Sequence, residues 1–304
     1  MTDPEILIVG AGPAGLTAAS YLARFRRRVL VADGGAPRAC WIPVSHNMPG
    51  FPTGITGDAI LKRMTEQAEE YGAVIEAGRV EAITPDGHGF RARLNGRDLH
   101  VRAVLLAVGV EDNHPPLPGV ERAIEHAIVR ICPICDGYEA TDRKVAVIGK
   151  DHVGVREAAF LKTYTDAVTL IHVGPPDALD EASKAEAARL AIPVEMADIE
   201  DVRLEENRVV ALCWGGEDRS FDLVYSALGT RPNIELAHAL GAELAPEDGR
   251  LTVDDHQATS VPGVYAAGDV VRGLNQIAVA TAEAAVAATA IHNALREADG
   301  RTVR

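Results

Sequence analysis

The sequence predicts an α/β protein built from two Rossmann-type nucleotide-binding units. Three observations carry that prediction. The chain opens on an apolar run, a Gly-rich turn, a helix and a second apolar run. The same order returns at Lys144, and the two stretches superpose without a gap, Gly10 on Gly149 and Gly15 on Gly154. Proline- and glycine-marked breaks, at Pro115, Pro116 and Pro118 and at Gly229 and Pro232, set off the second copy. A chain of 304 residues has room for about two domains of roughly 100–200 residues each, both with a buried core.

In the first unit Glu5-Ile6-Leu7-Ile8-Val9 reads as a buried parallel strand. Gly10-Ala11-Gly12-Pro13-Ala14-Gly15 follows, then a helix to about Phe25 with apolar positions at Leu16, Ala19 and Leu22. Arg28-Val29-Leu30-Val31-Ala32 is the second strand, and Asp33 ends it. This is G-x-G-x-x-G with a carboxylate 23 residues after the first glycine. Gly10 makes the tight turn, Gly12 admits a pyrophosphate to the backbone, Gly15 lets helix and sheet approach, and Asp33 accepts from an adenosine ribose. Pro13 stands where a helix N–H is unpaired in any case. Together these residues predict a bound dinucleotide.

A long loop from Cys40 through Phe51-Pro52 leads to a helix from about Gly57 to Tyr71. Residues 73–110 read as three or four strands, with turns at Pro85-Asp86-Gly87 and Asn95-Gly96. In the second unit Lys144 to Ile148 is a strand, a helix runs to about Tyr164, and Ala167 to Ile171 is the next strand. A helix near 180–190 and strands near 194–196, 209–214 and 221–227 complete it. Thr259 to Asp269 is a strand ending in a Gly268-Asp269 turn, ahead of an Ala-rich helix from about Gln276 to Leu295. A carboxylate just past a strand end is well placed to hold a ribityl hydroxyl.

Lys and Arg number 30 against 44 Asp and Glu, a net charge of −14. Such a chain repels nucleic acid and anionic membranes. The basic cluster Arg24, Arg26, Arg27 and Arg28 reads as a solvated helix end, with a docking patch for an acidic protein as the alternative. No apolar run approaches the roughly 18 residues of a membrane span. Met1-Thr2-Asp3-Pro4 enters a strand without a basic leader, so no signal peptide is expected and the cytoplasm is the expected compartment.

Of four cysteines, Cys40 and Cys213 stand alone, while Cys132-Pro133-Ile134-Cys135 is followed by Asp136-Gly137. In a reducing compartment a C-x-x-C reads as redox or metal chemistry. Zinc wants about four ligands, and no second C-x-x-C or H-x-x-x-H accompanies this pair. The pair therefore reads as a disulfide that opens and closes, with Asp136 beside it to move a proton.

Taken jointly, these motifs resemble the low-molecular-weight, bacterial-type thioredoxin reductases over almost the whole chain. The likeness rests on Gly10 to Gly15, Pro49-Gly50-Phe51-Pro52, Leu106-Ala107-Val108-Gly109, Cys132 to Gly137 and Thr259 to Asp269. It implies two three-layer (ββα) domains, the second inserted in the first: an FAD-binding domain of residues 1–112 plus 235–304, and an NAD(P)-binding-like domain of residues 113–234 carrying the cysteines. It also implies a homodimer with one FAD per chain. The matching positions make Gly10, Gly12, Pro13, Ala14, Gly15, Asp33, Asn47, Gly109, Gly268, Asp269, Gln276 and Ile277 the candidate FAD residues. Cys135 becomes the thiol beside the flavin, Cys132 the thiol that attacks a partner disulfide, and Asp136 the acid/base group. Only a thiolate attacks, exchange passes through a mixed disulfide, and the flavin carries the electron chemistry. The implied partner is a thioredoxin-like protein or a small dithiol or disulfide. In the loop expected to border the flavin, Cys40 reads as a structural or incidental residue, with a reactive thiol as the alternative, and His46 as a hydrogen-bonded loop histidine, with an acid/base group as the alternative.

The second unit departs from the family. Its turn is Gly149-Lys150-Asp151-His152-Val153-Gly154, and His172-Val173-Gly174-Pro175-Pro176-Asp177 lacks the arginines that grip a 2′-phosphate. Asp151 falls on Gly12 and His172 on Asp33. A carboxylate about 4 Å from a phosphate costs about 4 kcal/mol at an effective dielectric near 20, and about 1 kcal/mol in water. Lys150 offsets part of this, and NAD is served no better, because His172 is not the acidic ribose partner it wants. The sequence thus predicts a domain that keeps its fold and grips NAD(P)H weakly. Asn275-Gln276-Ile277 also stands where the family tends to have Arg-Gln-Ala. Two enzyme readings fit: a disulfide reductase fed by another donor, such as an electron-transfer protein, or by a poorly bound nucleotide, and a flavin dithiol oxidase that forms disulfides in a small molecule and passes electrons to oxygen. Such oxidases tend to carry His after the second cysteine, so Asp136 favours the reductase. A non-catalytic flavin redox sensor is the third reading, and the intact Cys132/Cys135 pair speaks against it.

Overall fold

The computed structural model describes residues 3–199, 202–204, 210–215, 217–271 and 273–302. Strand β1 (Ile6–Val9) is apolar and buried throughout, as a strand covered on both faces must be. Helix α1 (Pro13–Arg24) follows with Pro13 in its first turn, and buries Leu16, Ala19 and Leu22. Strand β2 (Val29–Asp33) pairs parallel with β1. Helix α2 (Gly57–Glu70) is capped by Thr56, whose hydroxyl accepts from Ala59 N. Strand β3 (Val74–Ala77) extends the sheet beyond β2.

The chain then forms an antiparallel sheet of β4 (Val80–Asp86), β5 (Gly89–Leu94) and β6 (Arg97–Val101). Its inner residues, among them Ile83, Phe90, Leu94 and Val101, bury against Leu7, Val9 and Leu30 of the parallel sheet. Asn95 and Gly96 turn at φ 51° and 73°, the paired positive values of a tight hairpin. Strand β7 (Ala103–Leu106) returns beside β1. Residues 73–110 thus hold five complete strands, not three or four. Only Arg102 separates β6 from β7, so no Gly or Pro break marks the change of sheet.

Strand β8 (Val110–Asp112) leads into the second unit. There α3 (Val120–Glu125), β9 (Val129–Arg130) and a one-turn α4 (Pro133–Asp136) precede β10 (Val145–Gly149). Helix α5 (His152–Leu161) and strand β11 (Val168–His172) follow, then α6 (Glu181–Arg189) and β12 (Val194–Met196). The hairpin β13 (Val210–Trp214) and β14 (Glu217–Phe221) leads to β15 (Leu223–Ala227) and β16 (Thr230–Pro232). The parallel sheet here runs β12-β11-β10-β15-β9. Val155, Ala158, Leu161 and Ala187 cover one face, and Leu117, Ile124 and Phe221 the other. Helix α5 ends at Leu161, short of Tyr164. Val209, expected in a strand, lies outside the described residues.

Strand β16 pairs antiparallel with β8, so the outgoing and returning chains form one two-stranded bridge. Helix α7 (Glu235–Ala239) follows, then β17 (Val264–Ala266), which pairs with β7, and α8 (Ile277–Ala298). The first sheet is therefore β17-β7-β1-β2-β3, drawn from both sides of the second unit. Helix α8 is long and apolar enough, by length and composition, to cross a membrane. Thr281 and Glu283 interrupt its apolar run. It packs along α1 with Ala280, Ala284, Ala287, Ala288, Ile291 and Leu295 in the core.

The basic cluster after α1 corrects the sequence reading at Arg27. Its side chain is 7% exposed and pairs with Glu5 at 3.2 Å and Asp299 at 3.3 Å. Its Nε donates to His292 Nδ1 at 3.2 Å. Arg27 ties the C-terminal helix to the first strand, while Arg28 stays exposed.

Candidate functional site

The Gly10 to Gly15 turn opens onto a cavity of about 620 Å³ that runs from Asp33 to the cysteines. Gly10 has φ +108°, and a Cβ there would meet the Ala107 carbonyl. A Cβ on Gly12 would meet only Pro37 Cβ, at 3.8 Å. Gly12 caps α1 without a side chain, so the partial positive charge of the helix start faces open space. Every candidate FAD residue except Gly15 lines this cavity. Gly15 sits beneath it, where a Cβ would strike the Gly10 carbonyl.

The corresponding turn in the second unit is closed by a side chain. Asp151 caps α5, and its Oδ1 accepts from Val153 N at 2.8 Å. His172, at the end of β11, is 0% exposed. Its Nδ1 accepts from Gly174 N at 3.2 Å, and Nε2 has no partner. Burial pushes this imidazole below its ordinary range, toward the neutral ring. Lys150, Asp151, Gly174 and Pro175 border a cleft of about 450 Å³.

Cys132 and Cys135 are joined as a disulfide, with Cα atoms 5.3 Å apart. The single turn of α4 holds them, Cys135 N donating to the Cys132 carbonyl at 3.0 Å. From the opposite side Gln276, the N-cap of α8, brings its amide Nε2 to 3.5 Å from Cys132 Sγ and 3.4 Å from Cys135 Sγ. Gln276 Oε1 accepts from Asn47 Nδ2 at 2.9 Å, and Asn47 Oδ1 accepts from Ser45 Oγ at 2.9 Å. A line of hydrogen bonds therefore runs from the long loop to the disulfide, bridging the two units.

Asp136 faces inward. Its Oδ2 pairs with Arg130 Nη1 at 2.9 Å, and Tyr225 OH lies 3.0 Å from both Oδ1 and the Asp136 carbonyl. Burial pushes this carboxyl up, Arg130 and the Tyr225 hydroxyl pull it down, and burial prevails. Burial and Asp136 together hold the Tyr225 hydroxyl far above the phenol range, so it acts as a donor.

Three site residues escaped the sequence reading: Arg38, Arg130 and Tyr225. Arg38 lies in a short 3₁₀ turn and pairs bidentately with Asp112, Nε at 2.7 Å and Nη2 at 2.8 Å. Its Nη1 reaches Asp269 at 3.4 Å. Arg38 and Arg130 carry a faint signal, a cation in a Gly/Pro loop and a cation in an apolar stretch. Tyr225, in an apolar strand, carries none. Asp269 is pushed up by burial against the pull of Arg38. His46 is largely exposed, with Nε2 4.0 Å from Glu139, and Cys40 is an exposed free thiol. Among the described residues no three His, Cys, Asp or Glu side chains are grouped to hold a metal.

Residues 4–284 match the family described as pyridine nucleotide-disulphide oxidoreductase. A thioredoxin reductase of Mycolicibacterium smegmatis is 31% identical over 304 residues, covering 95% of each chain. The crystal structure of HlmI is 30% identical with a TM-score of 0.87, covering 98% of this chain and 94% of that one. The thioredoxin reductase of Streptococcus pyogenes MGAS5005 is 26% identical with a TM-score of 0.87, covering 97% and 98%.

Proposed function

Because the chain belongs to the pyridine nucleotide-disulphide oxidoreductase family, as an FAD-dependent disulfide oxidoreductase of the thioredoxin reductase kind, we propose that Cys132 and Cys135 exchange electron pairs between FAD and a dithiol/disulfide substrate. The observation that carries this reading is the disulfide at the mouth of the dinucleotide cavity, with Gln276 donating to both sulfurs.

The cavity residues fit FAD. The bare helix start at Gly12 offers N–H groups to a pyrophosphate, Asp33 offers a ribose acceptor, and Asp269 a ribityl acceptor. Asn47 and Gln276 border the end that reaches the cysteines. When bound, FAD supplies two-electron redox chemistry.

The chain's own residues handle the sulfur and proton chemistry. In the dithiol state Cys132 loses its proton to Asp136 and attacks a substrate disulfide as thiolate. One substrate S–S bond breaks, a mixed disulfide forms, and the departing sulfur takes up the proton. Cys135 then gives up its proton and attacks Cys132 Sγ, which restores the Cys132–Cys135 disulfide and releases the second substrate sulfur, which takes up that proton as a thiol. The substrate gains two electrons and the pair loses two. Gln276 Nε2 favours the thiolate at either sulfur. The names of the relatives support a thioredoxin-like substrate, and Asp136 after the second cysteine favours this direction over the oxygen-linked oxidase.

We propose further that NADPH is held weakly. The residues of the second unit do not fit the nucleotide: Asp151 fills the start of α5, His172 is buried, and no arginine follows β11 before Pro176. An electron-transfer protein is the donor class this predicts.

The test is direct. The purified protein should carry FAD, and chemical reduction should yield two titratable thiols at Cys132 and Cys135. It should then reduce a thioredoxin-type disulfide one for one. Protein without FAD, or thiols inert toward protein and small disulfides alike, overturns the reading.

A further inference from the structure

Asp136 closes a one-turn helix, which is too short to hold a side chain in place unaided. What holds it comes from the neighbouring sheet. Arg130 on β9 and Tyr225 on β15 are partners in register across a parallel pair. Both reach the same carboxylate. Arg130 Nη1 takes Oδ2 at 2.9 Å, and Tyr225 OH, 3.0 Å from Oδ1, also lies 3.0 Å from the Asp136 carbonyl. Arg130 therefore donates to one carboxylate oxygen, and the single Tyr225 proton is shared between the other and the Asp136 carbonyl.

We propose that Arg130 and Tyr225 are positioning residues for Asp136, holding its carboxylate in one orientation beside the cysteines and governing its proton exchange with them. This rests on the reading of Asp136 as the acid/base group.

The surroundings are those of a tuned group. Tyr225 is 0% exposed, and the Arg130 side chain 14%. Burial raises the proton affinity of this carboxylate, and the two donors oppose it. Glu139, in the turn after α4, adds a like charge and is itself 4.0 Å from His46. Cys132, the N-cap of α4, and Cys135 within it are joined as an uncharged disulfide. Gln276 meets the sulfurs from the far side and carries no charge.

The experiment uses the reduced holoenzyme and follows alkylation of Cys132 by iodoacetamide against pH, alongside disulfide-reducing turnover and thermal melting. The wild-type profile should carry an inflection from Asp136 that Asp136→Asn removes. Tyr225→Phe, which keeps the ring, should move that inflection upward by about one pH unit, the worth of a hydrogen bond to a charged group. Arg130→Gln should move it further, and Arg130→Lys should restore most of the shift. If Asp136→Asn removes the inflection while Tyr225→Phe and Arg130→Gln leave it in place, the positioning role is overturned and the reading of Asp136 stands. If Asp136→Asn leaves the profile unchanged, that reading fails and the positioning role with it. Should Arg130→Gln not fold, Tyr225→Phe decides.

Discussion

Gly12 and Asp151 cap corresponding helices in the two units, and only Asp151 lays a side chain over the first turn. Its Oδ1 takes the Val153 N–H at 2.8 Å, one of the groups a pyrophosphate would use, and adds a negative charge there. We predict that NADPH at micromolar concentration bleaches the flavin slowly in stopped-flow measurements, and that Asp151→Gly tightens nucleotide binding. Removing about 1 to 4 kcal/mol of repulsion corresponds to about 5- to 1000-fold. Fast bleaching of the wild-type protein at micromolar NADPH would sink the idea of a weak grip.

The two thiols differ in their expected roles, so their variants should differ. Cys132→Ser and Cys135→Ser should each abolish disulfide reduction. Only Cys132→Ser leaves the flavin-side thiolate, and only that protein should gain a broad absorbance beyond the flavin band at neutral pH. Identical spectra for the two would contradict the assigned order.

Arg38 joins the short turn ahead of α2 to the bridge between the units. Its bidentate partner Asp112 has a side chain 8% exposed. Truncation to Ala leaves that carboxylate buried and unpaired, and breaking such a pair costs about 3–5 kcal/mol. Arg38→Ala should lower the melting temperature and weaken FAD retention on gel filtration. Arg38→Lys should recover part of the stability but not the two-point contact. Full FAD content and wild-type melting in Arg38→Ala would refute this role.

Glu157 on α5 is half-buried, and its carboxyl Oε2 is buried without a partner. Burial, and then the nearby Asp112, push it up to about 8. Its proton is thus retained on folding and lost on unfolding between about pH 4.5 and pH 8. The folded state binds more protons in that window, so stability falls as pH rises through it and levels off above. Glu157→Gln should raise the melting temperature clearly at pH 8.5 and hardly at pH 5. An equal gain at both values would show that burial does not hold the proton.

The parts readable from the chain alone are those whose physics is local. The turn at Gly10 needs a positive φ, and the crossing at Gly15 needs the absence of a Cβ. Both needs are met within a few residues, so spacing reveals them. The C-x-x-C is equally compact, because one helical turn brings Cys132 and Cys135 together. The paired strand–turn–helix–strand units follow from hydrophobic period and length. Less was readable where short elements change sheet without a break, as between Val101 and Ala103.

The rest depended on contacts that only the folded sheets create. Gln276 meets Cys132 across 144 residues, Tyr225 meets Asp136 across 89, and Arg38 meets Asp112 across 74. No periodicity encodes such pairs, since sheet order, not chain order, decides which side chains face each other. Tyr225 looks like any core aromatic until β15 is seen beside β9. Arg27 looks like a solvated helix end until α8 returns over it. Motif and spacing therefore pointed to a dinucleotide-type turn and a redox pair. The tertiary structure decided which charges surround that pair, because a buried ion pair or hydrogen bond exists only once distant strands have desolvated both partners.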